Sequence, residues 1–202
     1  MNHKYTNDEH DQVFLLVSFS LTQYFSSSIP LTLTLHLYQG ALVLRPAAAG
    51  GGAYEVAFRT QEQQHYFNCP YQLSSEETHK QHPNTLCDKP SSAEVHTVAV
   101  RAQDIVVAAT DGVLDNVFDA DIAKLAHQHC PPGGEPKACA SALAKAIVAA
   151  ARRVGSSRTA HSPFAAAAAK HSLRYQGGKL DDASVVVAVL GDGEAARPAS
   201  KL

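Results

Sequence analysis

The 202 residues are 45% apolar and 18% charged, enough for one domain with a buried core and too apolar for wholesale disorder. A formal net charge of -2, without any block of lysine or arginine, gives no attraction for phosphate backbones or anionic lipid, so nucleic acid and membrane surfaces are excluded as expected partners. The four cysteines, Cys69, Cys87, Cys130 and Cys139, form no Cys-x-x-Cys pair, which argues for reduced thiols rather than zinc-ribbon or thioredoxin chemistry.

In chain order, Val13 to Phe25 is apolar, but Asp8, Glu9 and Asp11 stand where a secretory signal needs positive charge. Ser18, Ser20, Thr22 and Gln23 also interrupt the run well short of a membrane span, so no insertion is expected. Leu31, Leu33, Leu35 and Leu37 alternate with Thr32, Thr34, His36 and Tyr38, the period of a strand with one buried face. Gln39-Gly40 reads as a turn and Ala41 to Arg45 as the return strand of a hairpin. Pro46 to Gly52 is a loop of small residues, Tyr54 to Phe58 a short strand, and Ser74 to Ser92 a surface loop.

The second half is written more clearly. Ile105 to Thr110 is short, apolar and β-branched, which suits a strand covered on both faces, and it stops at Asp111-Gly112. Asp119 to His129 has a helical stripe through Ile122, Leu125 and Ala126, ended by Pro131-Pro132-Gly133-Gly134. A second helix runs from Pro136 to Val154, with Leu143, Ile147, Ala151 and Val154 on one face, and Pro163 to His171 makes a short third one. A flexible Gly177-Gly178 leads to Asp181-Asp182 and a second buried strand, Ala183 to Leu190. Strands and helices do not alternate as in a doubly wound sheet, so the expected class is α+β.

Two acids then attract attention. Asp111 ends one apolar strand and Asp181 precedes another, so antiparallel pairing of these strands brings both carboxylates to one end of the sheet. Carboxylate and water oxygens are the ligands that Mg²⁺ and Mn²⁺ prefer. Two such ions lower the pKa of a shared water and stabilise charge on phosphoryl oxygens, with no need of a protein nucleophile. That suits a chain with neither Gly-x-Ser-x-Gly nor Cys-x₅-Arg. The other ligand-rich stretch, His127-Gln128-His129-Cys130, lies on a predicted helix, where positions i and i+2 diverge, so a structural role is expected there. Asp-Gly on its own is a common turn dipeptide, and spacing alone favours a structural reading.

The wording around the acids says more. IVVAATDGVLDNVFD (105 to 119) and GGKLDDASVVVAV (177 to 189) resemble the last two metal motifs of the type 2C serine/threonine protein phosphatases. EQQHYFNCPYQL (62 to 73) and SPFAAAAAK (162 to 170) are similar to segments of that family's organellar subgroup, in the same order. The resemblance implies central antiparallel sheets flanked by helices, in a partial α/β sandwich covering the C-terminal part of the domain. It also implies Mg²⁺- or Mn²⁺-dependent hydrolysis of phosphoserine and phosphothreonine on phosphoprotein substrates, with Asp111 and Asp181 as metal ligands. Gly112 would keep the turn clear of the ion, Asp115 and Asn116 would cap helices, and Asp182 would support its neighbour. His65 and Tyr66 are expected to pack or to shape substrate access.

The chain departs from the pattern in places. It has no Asp-Gly-x-Gly-Gly loop, whose aspartate bridges both ions in the family, and Leu37-Tyr38-Gln39-Gly40 stands where Gly-Asp-Ser-Gly is usual. Without a bridging carboxylate, two divalent ions lack the charge that offsets their repulsion. Residues 1 to 30 match nothing in the family, 31 to 190 form the matching part, and 191 to 202 read as a flexible tail. The expectation is a truncated phosphatase, or else an inactive remnant that binds phosphoproteins or a partner. The final Ser200-Lys201-Leu202 reads as a peroxisomal address, whereas the subgroup resemblance points to mitochondrion or plastid.

Overall fold

A computed structural model describes residues 18–22, 31–37, 40–48, 51–71, 80 and 86–191, the first two segments by backbone alone. The Ser200-Lys201-Leu202 tripeptide, most of the 74 to 92 loop and most of the apolar 13 to 25 segment lie outside the described residues.

The organising element is β8 (Ile105–Ala109), all five residues of which are buried. A strand covered on both faces and both edges needs a neighbour on each side. These are β3 (Gly40–Pro46) and β9 (Val185–Val189), both antiparallel to it. β4 (Tyr54–Arg59) completes a four-stranded sheet in the order β4-β3-β8-β9. The second sheet is β1 (Ser18–Thr22), β2 (Leu31–Leu37) and β7 (Glu94–Val100), again antiparallel. β5 (Gln64–Tyr66) and β6 (Cys69–Pro70) form a small separate hairpin.

Side-chain alternation in β3 and β8 separates two cores. Leu42, Leu44, Ile105, Val107 and Ala109 face the helices, while Ala41, Val43, Val106 and Ala108 pack with Val100, Val98 and Phe58 on the side of β7. The helical layer is a single turn α1 (Asp111–Leu114), then α2 (Asp119–His129), α3 (Pro136–Gly155) and α4 (Pro163–Lys170). α3 starts where expected: Pro136 takes the first helical position and the Glu135 carboxylate accepts from the backbone N–H groups of Lys137 (3.0 Å) and Ala138 (2.6 Å). Its face of Leu143, Ile147 and Ala151, with Ile122 and Ala126 of α2, closes the main core. No described helix is long and apolar enough to cross a membrane.

At the end of the sheet where β8 begins, Asp104 is fully buried and takes a two-pronged ion pair from Arg45, at 3.0 Å from Nε and 2.7 Å from Nη2. The same Nη2 donates to the Ala99 carbonyl of β7 at 3.1 Å, so one guanidinium ties the two sheets together. Its pKa is raised, chiefly by the hydrogen bond to Asp104.

Several expectations need correction. The predicted hairpin of Leu31–Leu37 with Ala41–Arg45 does not form. β2 pairs with β1 and β7, whereas β3 pairs with β4 and β8 in the other sheet, because alternation reveals a strand but not its partner. β7 carries apolar residues on both faces and was not anticipated. β9 is only half-buried: Val185, Val187 and Val189 pack against the helical core, while Val186 on the other face is 41% exposed. Gly177-Gly178 is not a flexible link. A Cβ on Gly178 would stand in contact with the Val154 carbonyl, and Gly178 N–H donates to the Ser157 carbonyl at 2.8 Å, so the pair is wedged against the end of α3.

Candidate metal centre

Pairing of β8 with β9 settles where the acids go. Ala109 lies opposite Val185, so the chain leaving β8 and the chain entering β9 meet at one rim of the sheet. Thr110 laces them: its N–H donates to the Ser184 carbonyl (3.0 Å), its hydroxyl donates to the Asp182 carbonyl (3.0 Å), and Ser184 N–H donates back to that hydroxyl (3.0 Å). The approach is close enough that a Cβ on Gly112 would collide with the Asp182 carbonyl oxygen. Glycine is therefore required here by neighbouring backbone, a different reason from the expected clearance around an ion.

Asn116, which is buried, makes the second tie. Its Nδ2 donates to the carbonyls of Gly112 (2.9 Å) and Lys179 (2.7 Å), and its Oδ1 accepts from Lys179 N–H (3.0 Å). Asn116 thus satisfies a carbonyl of the single turn α1 and also fixes the two acidic segments to each other. Asp115 does not cap with its side chain either. Its carboxylate pairs with Lys179 Nζ at 2.8 Å, while the residue that precedes α2 is Phe118, which gives no side-chain cap. Asp182 supports its neighbour through backbone: its N–H donates to Asp181 Oδ1 at 2.8 Å.

Three carboxylates consequently surround one ammonium. Lys179 Nζ lies 2.8 Å from Asp115, 3.4 Å from Asp111 and 3.9 Å from Asp181. Burial sets them apart: the side chains of Asp111 and Asp181 are 49% and 42% exposed, that of Asp115 only 14%. Burial raises the Asp115 pKa to about 6 despite the opposing hydrogen bond and charge of Lys179. For Lys179, burial works to lower the pKa, but the hydrogen bond to Asp115 and the charges of all three acids outweigh it, and the net shift is upward.

An aromatic floor supports the lysine. Its Nζ lies 5.1 Å from the Phe164 ring centroid, and Phe164 meets Tyr175 at 4.7 Å and Phe67 at 5.3 Å. α4, which carries Phe164, is set by buried Ser162. That hydroxyl caps it through Ala165 N–H (3.1 Å) and donates to the Gly177 carbonyl (2.7 Å). Of the expected access residues, His65 turns to Asp88 (3.1 Å) and Tyr71, and Tyr66 is exposed. Phe67 is the member of that segment that reaches the aromatic floor. Sequence reasoning missed Lys179, Phe164 and Phe67. All three stand inside the segments that carry the family resemblance, but their convergence depends on contacts such as that of Lys179 with Asp115, 64 positions away. In the other ligand-rich stretch, His127 Nδ1 is 2.8 Å from the Gly52 carbonyl and Cys130 is buried in the core.

The donor chemistry of Asp111 and Asp181, hard oxygen open to solvent, fits a Mg²⁺- or Mn²⁺-type cation. Their number does not make a closed site. Among the described residues no group of three or more His, Cys, Asp or Glu side chains is placed to hold a metal, and the ammonium stands at the centre of the acids. Asp111 and Asp181 fit part of such a site.

Comparison with known proteins agrees with this architecture. No family model matches the chain. It is 40% identical over 130 residues to probable protein phosphatase 2C 80 of Arabidopsis thaliana, covering 64% of this chain and 28% of that one. Against the protein phosphatase PTC7 homolog fig of Drosophila grimshawi the identity is 36% over 152 residues, covering 74% and 46%. The X-ray structure of the photosystem II phosphatase PBCP superimposes with a TM-score of 0.60 at 29% identity, over 79% of this chain and 58% of that one. In sequence and in its α+β fold the chain is similar to part of the type 2C protein phosphatases. It spans less than half the length of these two sequence relatives.

Proposed function

We propose that the chain contributes two metal ligands, Asp111 and Asp181, to metal-dependent hydrolysis of phosphoserine and phosphothreonine on phosphoproteins. The observation that carries this reading is the lacing of Thr110 to Asp182 and of Asn116 to Lys179, which holds both acids at one rim through neighbouring groups rather than through the two carboxylates. When bound, Mg²⁺ or Mn²⁺ supplies an activated water and neutralises phosphoryl charge. Asp111 and Asp181 would hold the ion, and Gly112 and Asn116 keep the pair in register.

A second reading, a binding module without turnover, draws on the sequence itself. With no Asp-Gly-x-Gly-Gly motif and no third ligand among the described residues, these 202 residues offer half of a two-ion site. The purified chain is therefore expected to bind Mn²⁺ and to release little or no phosphate from a phosphothreonine peptide. Asp111→Ala should abolish the Mn²⁺ binding. Robust Mn²⁺-dependent turnover that disappears in Asp111→Ala would overturn the half-site view and leave the enzyme reading standing. Unchanged Mn²⁺ binding in Asp111→Ala would remove the metal-ligand assignment.

A further inference from the structure

We propose that Lys179 is a built-in counter-cation that holds the point between Asp111, Asp115 and Asp181 and competes with a divalent ion for it. This rests on the metal-centre reading above. The geometry is specific: one ammonium lies within 4 Å of three carboxylates drawn from two chain segments, with its partners at 2.8, 3.4 and 3.9 Å. Three like charges around one point repel each other unless a cation stands among them. Asp115 is the least hydrated of the three, so its charge is the one water screens least and the one that holds the ammonium closest.

The lysine is also prevented from leaving. Its backbone N–H and carbonyl are both bonded to buried Asn116, and Gly178 before it is wedged against Val154. Its ammonium sits over the Phe164 ring. Nζ can move by rotating the four-carbon stem while Cα stays fixed. A divalent ion approaching the oxygens of Asp111 and Asp181 therefore meets a positive charge already at 3.4 and 3.9 Å from them. Binding requires the ammonium to withdraw from these two acids, with Asp115 as the partner it keeps. The consequence is a site whose acids stay assembled without metal and whose metal affinity is held below what its carboxylates alone would give.

The test compares Mn²⁺ binding by calorimetry at low ionic strength for the wild-type chain, Lys179→Met, Lys179→Arg and Asp181→Asn. Methionine keeps an unbranched stem against Phe164 and removes the charge. It is expected to bind Mn²⁺ about tenfold more tightly and to melt at lower temperature in chelator, the deficit closing as Mn²⁺ is added. Arginine retains the charge and should bind as weakly as wild type. Equal or weaker binding by Lys179→Met would overturn the proposal, as would Lys179→Arg binding as tightly as Lys179→Met. In either case, loss of binding in Asp181→Asn would leave the metal centre itself intact. Wild-type affinity in Asp181→Asn would remove the metal centre, and the competition with it.

Discussion

Gly112→Ala is expected to destabilise the chain by about 3 kcal/mol, near the upper end for overpacking a rigid contact. The added Cβ would collide with the Asp182 carbonyl oxygen and lie 2.8 Å from its carbon, and neither atom belongs to a side chain that can rotate away. Relief requires α1 to lift from the segment entering β9. That movement stretches the Thr110 bonds to Asp182 and Ser184 and the Asn116 bonds to Lys179. The melting temperature should fall by roughly 10 °C for a domain of this size, measured by circular dichroism. Mn²⁺ affinity should fall with it, because the same displacement separates Asp111 from Asp181. A variant that melts like wild type would mean the two segments do not meet as described.

Asp104→Ala acts at the far end of the same strand with a comparable effect, about 3 kcal/mol. Removing one partner of a buried pair leaves the other charge without compensation, a loss of about 3 to 5 kcal/mol in general. The lower figure applies because the Arg45 side chain keeps 26% exposure and can recover some hydration. Backbone ties are lost as well, since the carboxylate also accepts from Arg101 N–H at 3.0 Å. A pair of variants tests the assignment. Arg45→Met with Asp104→Leu together should recover much of the stability lost in Asp104→Ala, as replacing both charges removes the uncompensated one. Equal stability of Asp104→Ala and wild type in urea titrations would contradict it. Unlike Gly112→Ala, Asp104→Ala should leave the Mn²⁺ affinity of the folded fraction unchanged, since β8 separates it from the acids.

The contrast between these two ends bears on what could be read from the residues alone. Asp111 was legible because the strand before it is apolar at every position and the polar Thr110-Asp111-Gly112 that follows marks its end. α2 and α3 were legible because their stripes at helical spacing are bounded by proline and glycine. The partners of β2 and β3 were not legible, because alternation fixes which face of a strand is buried and leaves open which strand lies beside it. Lys179 stands within the 177 to 189 motif, yet its place among three carboxylates arises only when β8 and β9 align. The roles expected of Gly112 and Asn116 were local ones, a turn and a cap. Both also meet residues near 180, contacts that no local pattern encodes.

Paramagnetic broadening by Mn²⁺ on the ¹⁵N-labelled chain tests most directly whether Asp111 and Asp181 share one ion. At substoichiometric Mn²⁺ the amide signals of Asp111, Gly112, Asp181 and Asp182 should broaden together, while those of Arg45 and Asp104 at the other end of the sheet stay sharp. Broadening confined to one of the two segments, or centred on His127 to His129, would contradict the site.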